Sequence, residues 1–291
     1  MNIAILSRGA NLYSTRSLVK AAEQRNHSIE VIDPTYCQML IEEGKPKVFY
    51  FEEEVNDLHA IIPRIGASNT FQGCTVTRHF EAMNVFATVT SEAILRSRDK
   101  WSSFQILANK GVAVPKTAFA DFNFNLDHIL SQFDHGPLII KVLEGTHGNG
   151  VMLAPDKKTA QSMLEAFASQ KIKILIQEFI AESKGEDLRA IVVDGVVVAA
   201  MKRKSANGDF RSNLHRGGSS FKINLNYQEE ALALKAAKAL KLGVCGVDML
   251  RSDQGPMVLE VNSTPGLEGI EKTTGINIAK SIIGYAERNK K

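Results

Sequence analysis

Glu260 and Asn262 are separated by one residue at the end of an apolar stretch, Met257 to Val261, that reads as a β-strand. A period of two projects both side chains from one sheet face. Asp248 lies in the preceding apolar stretch, Val244 to Leu250, and a turn through Asp253-Gln254-Gly255-Pro256 joins the two. If these strands pair as a hairpin, three oxygen-bearing side chains converge. They form a hard-ligand set that suits Mg²⁺ and leaves positions for phosphate oxygens and water. The competing reading is a solvated strand face. However, Asp248 and Glu260 stand among Val244, Val247, Met249, Leu250, Val258, Leu259 and Val261, where an isolated buried carboxylate is costly, and this favours the metal.

A second group of residues suits phosphate. Lys141 follows the apolar run Leu138-Ile139-Ile140 and precedes Glu144-Gly145-Thr146-His147-Gly148-Asn149-Gly150. Gly145, Gly148 and Gly150 let backbone N–H groups approach phosphate oxygens, and a nearby lysine supplies countercharge. Such loops also serve as plain hairpin connections. No Gly-x-x-x-x-Gly-Lys-Ser/Thr is present, which excludes a P-loop. Lys100, at the start of a charged helix, is either a phosphate contact or a surface lysine. Glu178-Phe179 end a strand, where backbone can pair with an adenine edge and the carboxylate with an amine or hydroxyl. Asp187, after the loop from Ala181 to Glu186, stands where a ribose hydroxyl could be met.

The elements that must hold these residues are legible from periodicity. Ile3 to Leu6, an amphipathic helix from Ser14 to Asn26, and Ile29 to Ile32 form a β-α-β opening. It continues through Ala60-Ile61-Ile62, a helix from Thr70 to Met83, and Val85 to Val89, so residues 1–97 form a small α/β domain. Only one glycine follows the first strand, in Ser7-Arg8-Gly9-Ala10-Asn11, which argues against a dinucleotide phosphate in that turn. A second lobe, 98–185, carries the strands Pro137 to Val142 and Ile172 to Phe179 and a helix from Lys157 to Ser169. A third, 186–291, opens with a hairpin turning at Asp194-Gly195. It ends with helices from Tyr227 to Leu242 and Ile276 to Asn289 flanking the two metal-bearing strands. The fold class expected is therefore mixed α/β and α+β.

Composition narrows the function further. Hydrophobic residues make up 44% and charged residues 23% of 291, and the net charge is +3, far from the concentrated basic field of a nucleic-acid binder. Cys37, Cys74 and Cys245 are widely spaced and suit buried thiols in a reducing compartment. No apolar run is long enough to span a membrane. The expectation is a cytoplasmic protein with no membrane or nucleic-acid partner.

The order lysine, lysine, glycine loop, glutamate, aspartate, Glu-x-Asn behind a small α/β domain resembles the ATP-grasp superfamily, in which two α+β lobes clamp ATP. Gly208-Asp209-Phe210-Arg211-Ser212-Asn213-Leu214-His215-Arg216-Gly217-Gly218 and Glu260-Val261-Asn262-Ser263-Thr264-Pro265-Gly266-Leu267-Glu268-Gly269-Ile270-Glu271 resemble its RimK branch. Ala4-Ile5-Leu6-Ser7-Arg8 and Pro63-Arg64-Ile65-Gly66 extend the likeness along the whole chain. The resemblance implies a pre-ATP-grasp domain followed by a two-lobed ATP-grasp fold. It makes Lys100, Lys141 and the loop residues Gly145, Thr146, Gly148 and Gly150 phosphate contacts, Glu178 and Phe179 the adenine edge, and Asp187 the ribose partner. Asp248, Glu260 and Asn262 become ligands of Mg²⁺ or Mn²⁺, with two ions, and Arg211, Ser212 and Asn213 line the nucleotide near its γ-phosphate.

The implied activity is ATP-dependent ligation of L-glutamate to the C-terminal tail of ribosomal protein S-six by a homo-oligomer, a tetramer. Arg211, aided by Arg203, would offset charge on the transferring phosphoryl group. For Arg203 the competing reading is a solvated run, Lys202-Arg203-Lys204. A ligase with a small-molecule or cofactor acceptor would share every ATP and metal residue. A nucleotide-binding regulator on the ribosome without turnover is the other alternative. His147 and His215 receive no role.

Overall fold

The computed structural model describes residues 1–121, 123–134, 136–143, 150–205 and 217–290. The N-terminal part runs β1 Asn2–Leu6, α1 Tyr13–Glu23, β2 Ser28–Ile32, β3 Cys37–Glu42, β4 Lys45–Tyr50, β5 Glu53–Glu54, β6 Ala60–Pro63, α2 Thr70–Ala82, β7 Phe86–Ala87 and α3 Ser91–Arg98. Its main sheet has the order β2-β1-β6-β7 and is parallel throughout. Parallel strands buried on both faces need continuous apolar runs, which Ile3 to Leu6 and Ala60 to Ile62 supply. Helix α1 covers one face with Leu18, Ala21 and Ala22, spaced three and four apart. The antiparallel sheet β3-β4-β5 went unread in the sequence, although Glu43 and Gly44, both at positive φ, mark its first turn.

The central lobe contains α4 Lys100–Asn109, β8 Thr117–Ala120, α5 Leu126–Ser131, β9 Leu138–Val142, β10 Val151–Ala154, α6 Lys157–Ser169 and β11 Ile174–Glu178, with antiparallel sheet order β10-β9-β11-β8. Asp156 caps α6, so the helix begins where the sequence predicts. The C-terminal part adds β12 Glu186–Val193, β13 Val196–Lys204, β14 Ser219–Lys222, α7 Tyr227–Ala239, β15 Val244–Ser252, β16 Gly255–Asn262, α8 Glu268–Thr274 and α9 Ile278–Asn289. Its sheet order is β14-β13-β12-β15-β16. Asp194 and Gly195 make the predicted β12–β13 turn, both at positive φ. Helix α7 starts in a capping box between Asn226 and Glu229.

Packing divides the chain into two bodies. One core is continuous from Ile3, Ile5 and Ile61 in the parallel sheet, through Leu107 and Val112 around α4, to Leu188, Val247 and Ile282 in the C-terminal part. A second, small core holds Leu130, Leu138, Ile140, Leu164 and Ile176 of the central lobe. Gly243, between α7 and β15, sits on the seam of the large body. A Cβ there would lie 2.6 Å from the Thr88 carbonyl oxygen beyond β7 and would collide with the Tyr285 hydroxyl of α9. The Tyr285 ring meets Phe86 edge-on at 5.3 Å. Cys37, Cys74 and Cys245 are buried free thiols. Among the described residues, no helix is long and apolar enough to cross a membrane.

Candidate functional site

One face of the C-terminal sheet carries most of the charged side chains the sequence singled out. Asp187 and Arg189 are two apart on β12 and so share a side. Asp187 is in register with Arg203 of β13, and Arg189 with Asp248 of β15. Asp248 stands opposite Glu260 of β16, and Asn262 opposite Gly246. Residues directly opposite in an antiparallel pair project to the same side. The predicted hairpin therefore forms, with its three oxygen-bearing side chains on one face. A bulge follows immediately, between Asp248 and Met249, where the Val258 N–H turns away to donate to the Ala113 carbonyl at 2.8 Å.

The charges on this face fall into two groups. Arg203 donates to both Asp187 oxygens at 2.6 and 2.5 Å and reaches Asp248 at 3.1 Å. Arg189 forks onto both Asp248 oxygens at 2.7 and 2.6 Å. Burial opposes ionisation of Asp248, but the two guanidiniums outweigh it and bring its pKa down to about 2. Burial also opposes the charge on Arg203, and Asp248 and Asp187 reverse that into a raised pKa. With Arg203 only 3% exposed, the solvated-run reading of that residue is corrected. Lys202 and Lys204 pair with Glu186 at 3.0 and 3.6 Å while the side chain between them turns into the protein.

The side chains of Glu260 and Asn262, by contrast, have no hydrogen-bond or ion-pair partner among the described residues. Glu260 keeps solvent contact. Burial and the nearby Asp248 raise its pKa, against the pull of Lys141, Arg189 and Lys100. A carboxylate and an amide oxygen left open side by side fit a hard divalent cation. Among the described residues no three His, Cys, Asp or Glu side chains cluster as a metal site. The donor set therefore depends on the Asn262 amide and on oxygens that a ligand would bring.

Both lysines face this open carboxylate from the other side. Asp99 caps α4 by accepting from the Ser102 N–H at 2.9 Å, which fixes Lys100 as the first helical residue. A cation is disfavoured there by the helix dipole. The Lys100 ammonium donates instead to the Val142 and Leu143 carbonyls, at 3.1 and 2.8 Å, at the end of β9. Lys141 on β9 donates to Gln177 Oε1 at 2.6 Å, and Gln177 Nε2 to Thr117 Oγ1 at 2.8 Å, a chain across three strands. Burial lowers the Lys141 pKa to about 8; Glu260 opposes the shift and Lys100 adds to it. Burial lowers Lys100 as well, again opposed by Glu260. The site thus spans the junction between the two bodies.

The remaining residues are placed as follows. Glu178 bonds back to its own chain, its carboxylate accepting from the Lys116 N–H at 2.7 Å, and the Phe179 N–H donates to the Pro137 carbonyl at 3.2 Å. Gly150 closes the glycine loop at φ +78°, where a Cβ would press on Val142 Cβ at 3.1 Å. Gly145, Thr146, Gly148, Arg211, Ser212 and Asn213, with His147 and His215, lie outside the described residues. Sequence reasoning missed Arg189 and Gln177. The alternation Asp187-x-Arg189 on a strand was the available signal for the first; nothing local marked the second.

Comparison with known proteins adds an independent line. Residues 97–286 match the RimK-like ATP-grasp domain and residues 1–94 the RimK PreATP-grasp domain. A protein of Maridesulfovibrio salexigens named "Probable alpha-L-glutamate ligase" is 51% identical over 289 residues, covering 99% of this chain and 96% of that one. One from Teredinibacter turnerae with the same name is 52% identical over the same shares. Among solved structures, the ATP-grasp ligase PsnB complexed with minimal precursor superimposes with a TM-score of 0.78 at 17% identity, covering 99% of this chain and 97% of that one. D-alanine–D-alanine ligase from Bacillus anthracis follows at 0.69 and 21%, covering 99% and 98%. These two establish the fold alone; the family rests on the domain matches and the half-identical relatives. The chain belongs to the RimK-like ATP-grasp family of ATP-dependent carboxylate–amine ligases.

Proposed function

We propose that this protein adds L-glutamate to a carboxylate through an acyl phosphate, and that the acceptor is the C-terminal tail of the ribosomal small-subunit protein S-six. The observation that carries the phosphoryl chemistry is the placement of Lys100, bonded to the Val142 and Leu143 carbonyls, next to Lys141 at the lobe junction, with the Glu260 carboxylate within their electrostatic reach. The choice of glutamate rests on the names of the half-identical relatives. The choice of acceptor rests on the motif likeness to the RimK branch.

In the first step an acceptor carboxylate oxygen attacks the γ-phosphorus of ATP, the new O–P bond forms, the bond to the β–γ bridging oxygen breaks, and ADP leaves. In the second the glutamate amine attacks the acyl carbon. The C–N bond forms, the C–O bond to phosphate breaks, and inorganic phosphate and a proton are released. Lys100 and Lys141 hold phosphate oxygens; Glu260 and Asn262, with Asp248, hold Mg²⁺ or Mn²⁺, two ions in all. Held by these residues, the metal would supply countercharge to the phosphates. Arg211, with Ser212 and Asn213, attends the γ-phosphate, and Arg203 fixes the Asp248 carboxylate. Glu178 and Phe179 border the adenine, and Asp187 meets a ribose hydroxyl by sharing its oxygens with Arg203.

Intact-mass spectrometry of S-six after incubation with the protein, ATP, Mg²⁺ and glutamate tests this reading, with Asp248→Ala as control. Additions of whole glutamate residues that the variant does not make are expected. Unchanged mass with glutamate-dependent ADP release would move the acceptor elsewhere, and no ADP release with any carboxylate acceptor would sink the ligase reading.

A further inference from the structure

In an open parallel sheet, ligands settle at the carboxyl ends of the strands where chain order reverses. Here β1 is central, with β2 on one side and β6 on the other, so the reversal lies between the ends of β1 and β6. Arg64 is the first residue past β6, and its backbone N–H is tied to the Leu6 carbonyl at 2.9 Å. Among the described residues its side chain makes one bond, from Nη2 to the Pro265 carbonyl at 2.7 Å. A guanidinium has five N–H donors. Among the described residues no carboxylate pairs with Arg64; the same holds for Arg98, but that guanidinium is taken up by the Ile65 and Gly66 carbonyls and the Thr70 hydroxyl, whereas Arg64 has the Pro265 carbonyl alone. Burial draws its pKa down to about 10.

The segment that Arg64 touches follows directly from the metal strand. Pro265 is three residues past Asn262 and packs over Gly246, the register partner of Asn262, so that a Cβ on Gly246 would lie 3.0 Å from Pro265 Cβ. The same segment is tied to the N-terminal domain by the Leu267 N–H donating to Ser14 Oγ at 3.1 Å. Thr264, just before Pro265, has a buried hydroxyl with no partner among the described residues, the condition native interiors rarely tolerate. The carbonyl that Arg64 holds thus belongs to the residue that follows Thr264 in the chain, a short loop away from Glu260 and Asn262. Charge-assisted bonds of a forked guanidinium and a hydroxyl are what a carboxylate takes.

We propose that Arg64, with Thr264 beside it, binds a carboxylate of the incoming amino acid, so that the strand-reversal crevice of the N-terminal domain is the amine-donor subsite. The inference rests on the glutamate-ligase reading above. The acceptor's carboxylate is consumed in forming the acyl phosphate, so it needs phosphate-side contacts. The donor enters through its amine and keeps both carboxylates through the reaction, so one of them requires a standing cation that takes no part in phosphoryl transfer. Arg64 meets that requirement from outside the lysine–metal cluster.

The test compares wild type, Arg64→Met, Arg64→Lys and Thr264→Val for calorimetric binding of L-glutamate in the presence of Mg²⁺ and ADP, and for steady-state kinetics in glutamate and in ATP. Arg64→Met should weaken glutamate roughly 10- to 100-fold, the range for loss of hydrogen bonds to a charged group. The KM for ATP should stay within about twofold, Arg64→Lys should recover part of the loss, and Thr264→Val should lose roughly 3- to 10-fold. Wild type should also reject glutamate α-amide or glutamine, whichever lacks the bound carboxylate, by a factor that shrinks in Arg64→Met. Equal glutamate affinity in wild type and Arg64→Met, or an undiminished rejection factor, overturns the subsite while leaving the ligase reading intact. Wild type that neither binds nor turns over glutamate overturns the ligase reading and the subsite with it.

Discussion

The central lobe and the rest of the molecule are built on different scales. The large body draws one core from both ends of the chain, with Ile3, Ile61, Val247 and Ile282 in a single cluster. The central lobe encloses its own small core around Ile140, Leu164 and Ile176 and meets the large body through polar contacts such as Lys100 with Val142 and Leu143. Small cores bury proportionally less surface and are the less stable units. The difference teaches how such a site can be both fixed and openable. Asp248, Glu260 and Asn262 are held by the large core, while Lys141 and the glycine-loop end at Gly150 ride on the small one.

That contrast can be broken most forcefully on the sheet face. Asp187→Ala leaves Arg203 buried with only Asp248 for countercharge, and unfolding in urea should show a loss of about 3–5 kcal/mol carried by the large body. The same face gives an acid dependence of known sign. The Asp248 pKa is depressed from 3.8 to about 2, so the stability it contributes is present above pH 4 and is lost as pH falls toward 2. A loss below about 1 kcal/mol in Asp187→Ala would mean that the face is not load-sharing with the core beneath it.

A smaller effect separates the two bodies. Ile140→Ala should cost about 2–5 kcal/mol, but hydrogen exchange should quicken in β9, β10 and β11 while β1 and β12 stay protected. Uniform acceleration across all five strands would show one cooperative unit and dissolve the comparison.

The finest test is one of pH. With the Lys141 pKa at about 8 against 10.5 unfolded, the unfolded chain holds more protons between those values, so the ligand-free protein gains stability as pH rises through that window. Nucleotide binding needs the charged lysine and should weaken above pH 8, by up to roughly tenfold per unit. In Lys141→Met that slope should vanish. A slope unchanged by the substitution would remove Lys141 from the phosphate site.

What the sequence made legible was local in origin. The helix from Lys157 to Ser169 was bounded by its own cap, the Asp194-Gly195 turn by its dihedral demands, and Glu260-x-Asn262 by strand alternation. What it hid depended on register between distant strands. Nothing near Arg203 in sequence marks it as the partner of Asp187 sixteen residues earlier or of Asp248 on the far side of β12. The sheet of β3, β4 and β5 was missed because Cys37 to Glu54 mixes charge, proline and aromatic residues without clean alternation. The division into two cores was equally invisible, since residues 1–97 and 186–291 are separated by a lobe that joins their interior only through α4 and Val112 and otherwise keeps its own.

The tight seam at Gly243 carries a consequence for the chain's history and engineering. Thr88, Gly243 and Tyr285 come from three distant stretches, yet a single carbon added at Gly243 would displace the other two. Exchanging the first hundred or so residues for those of another family member would therefore graft a surface that does not mate with the remaining one. Chimaeras cut there should require the last helix to travel with the first domain, so this protein recombines as an interlocked pair of ends and not as a row of modules.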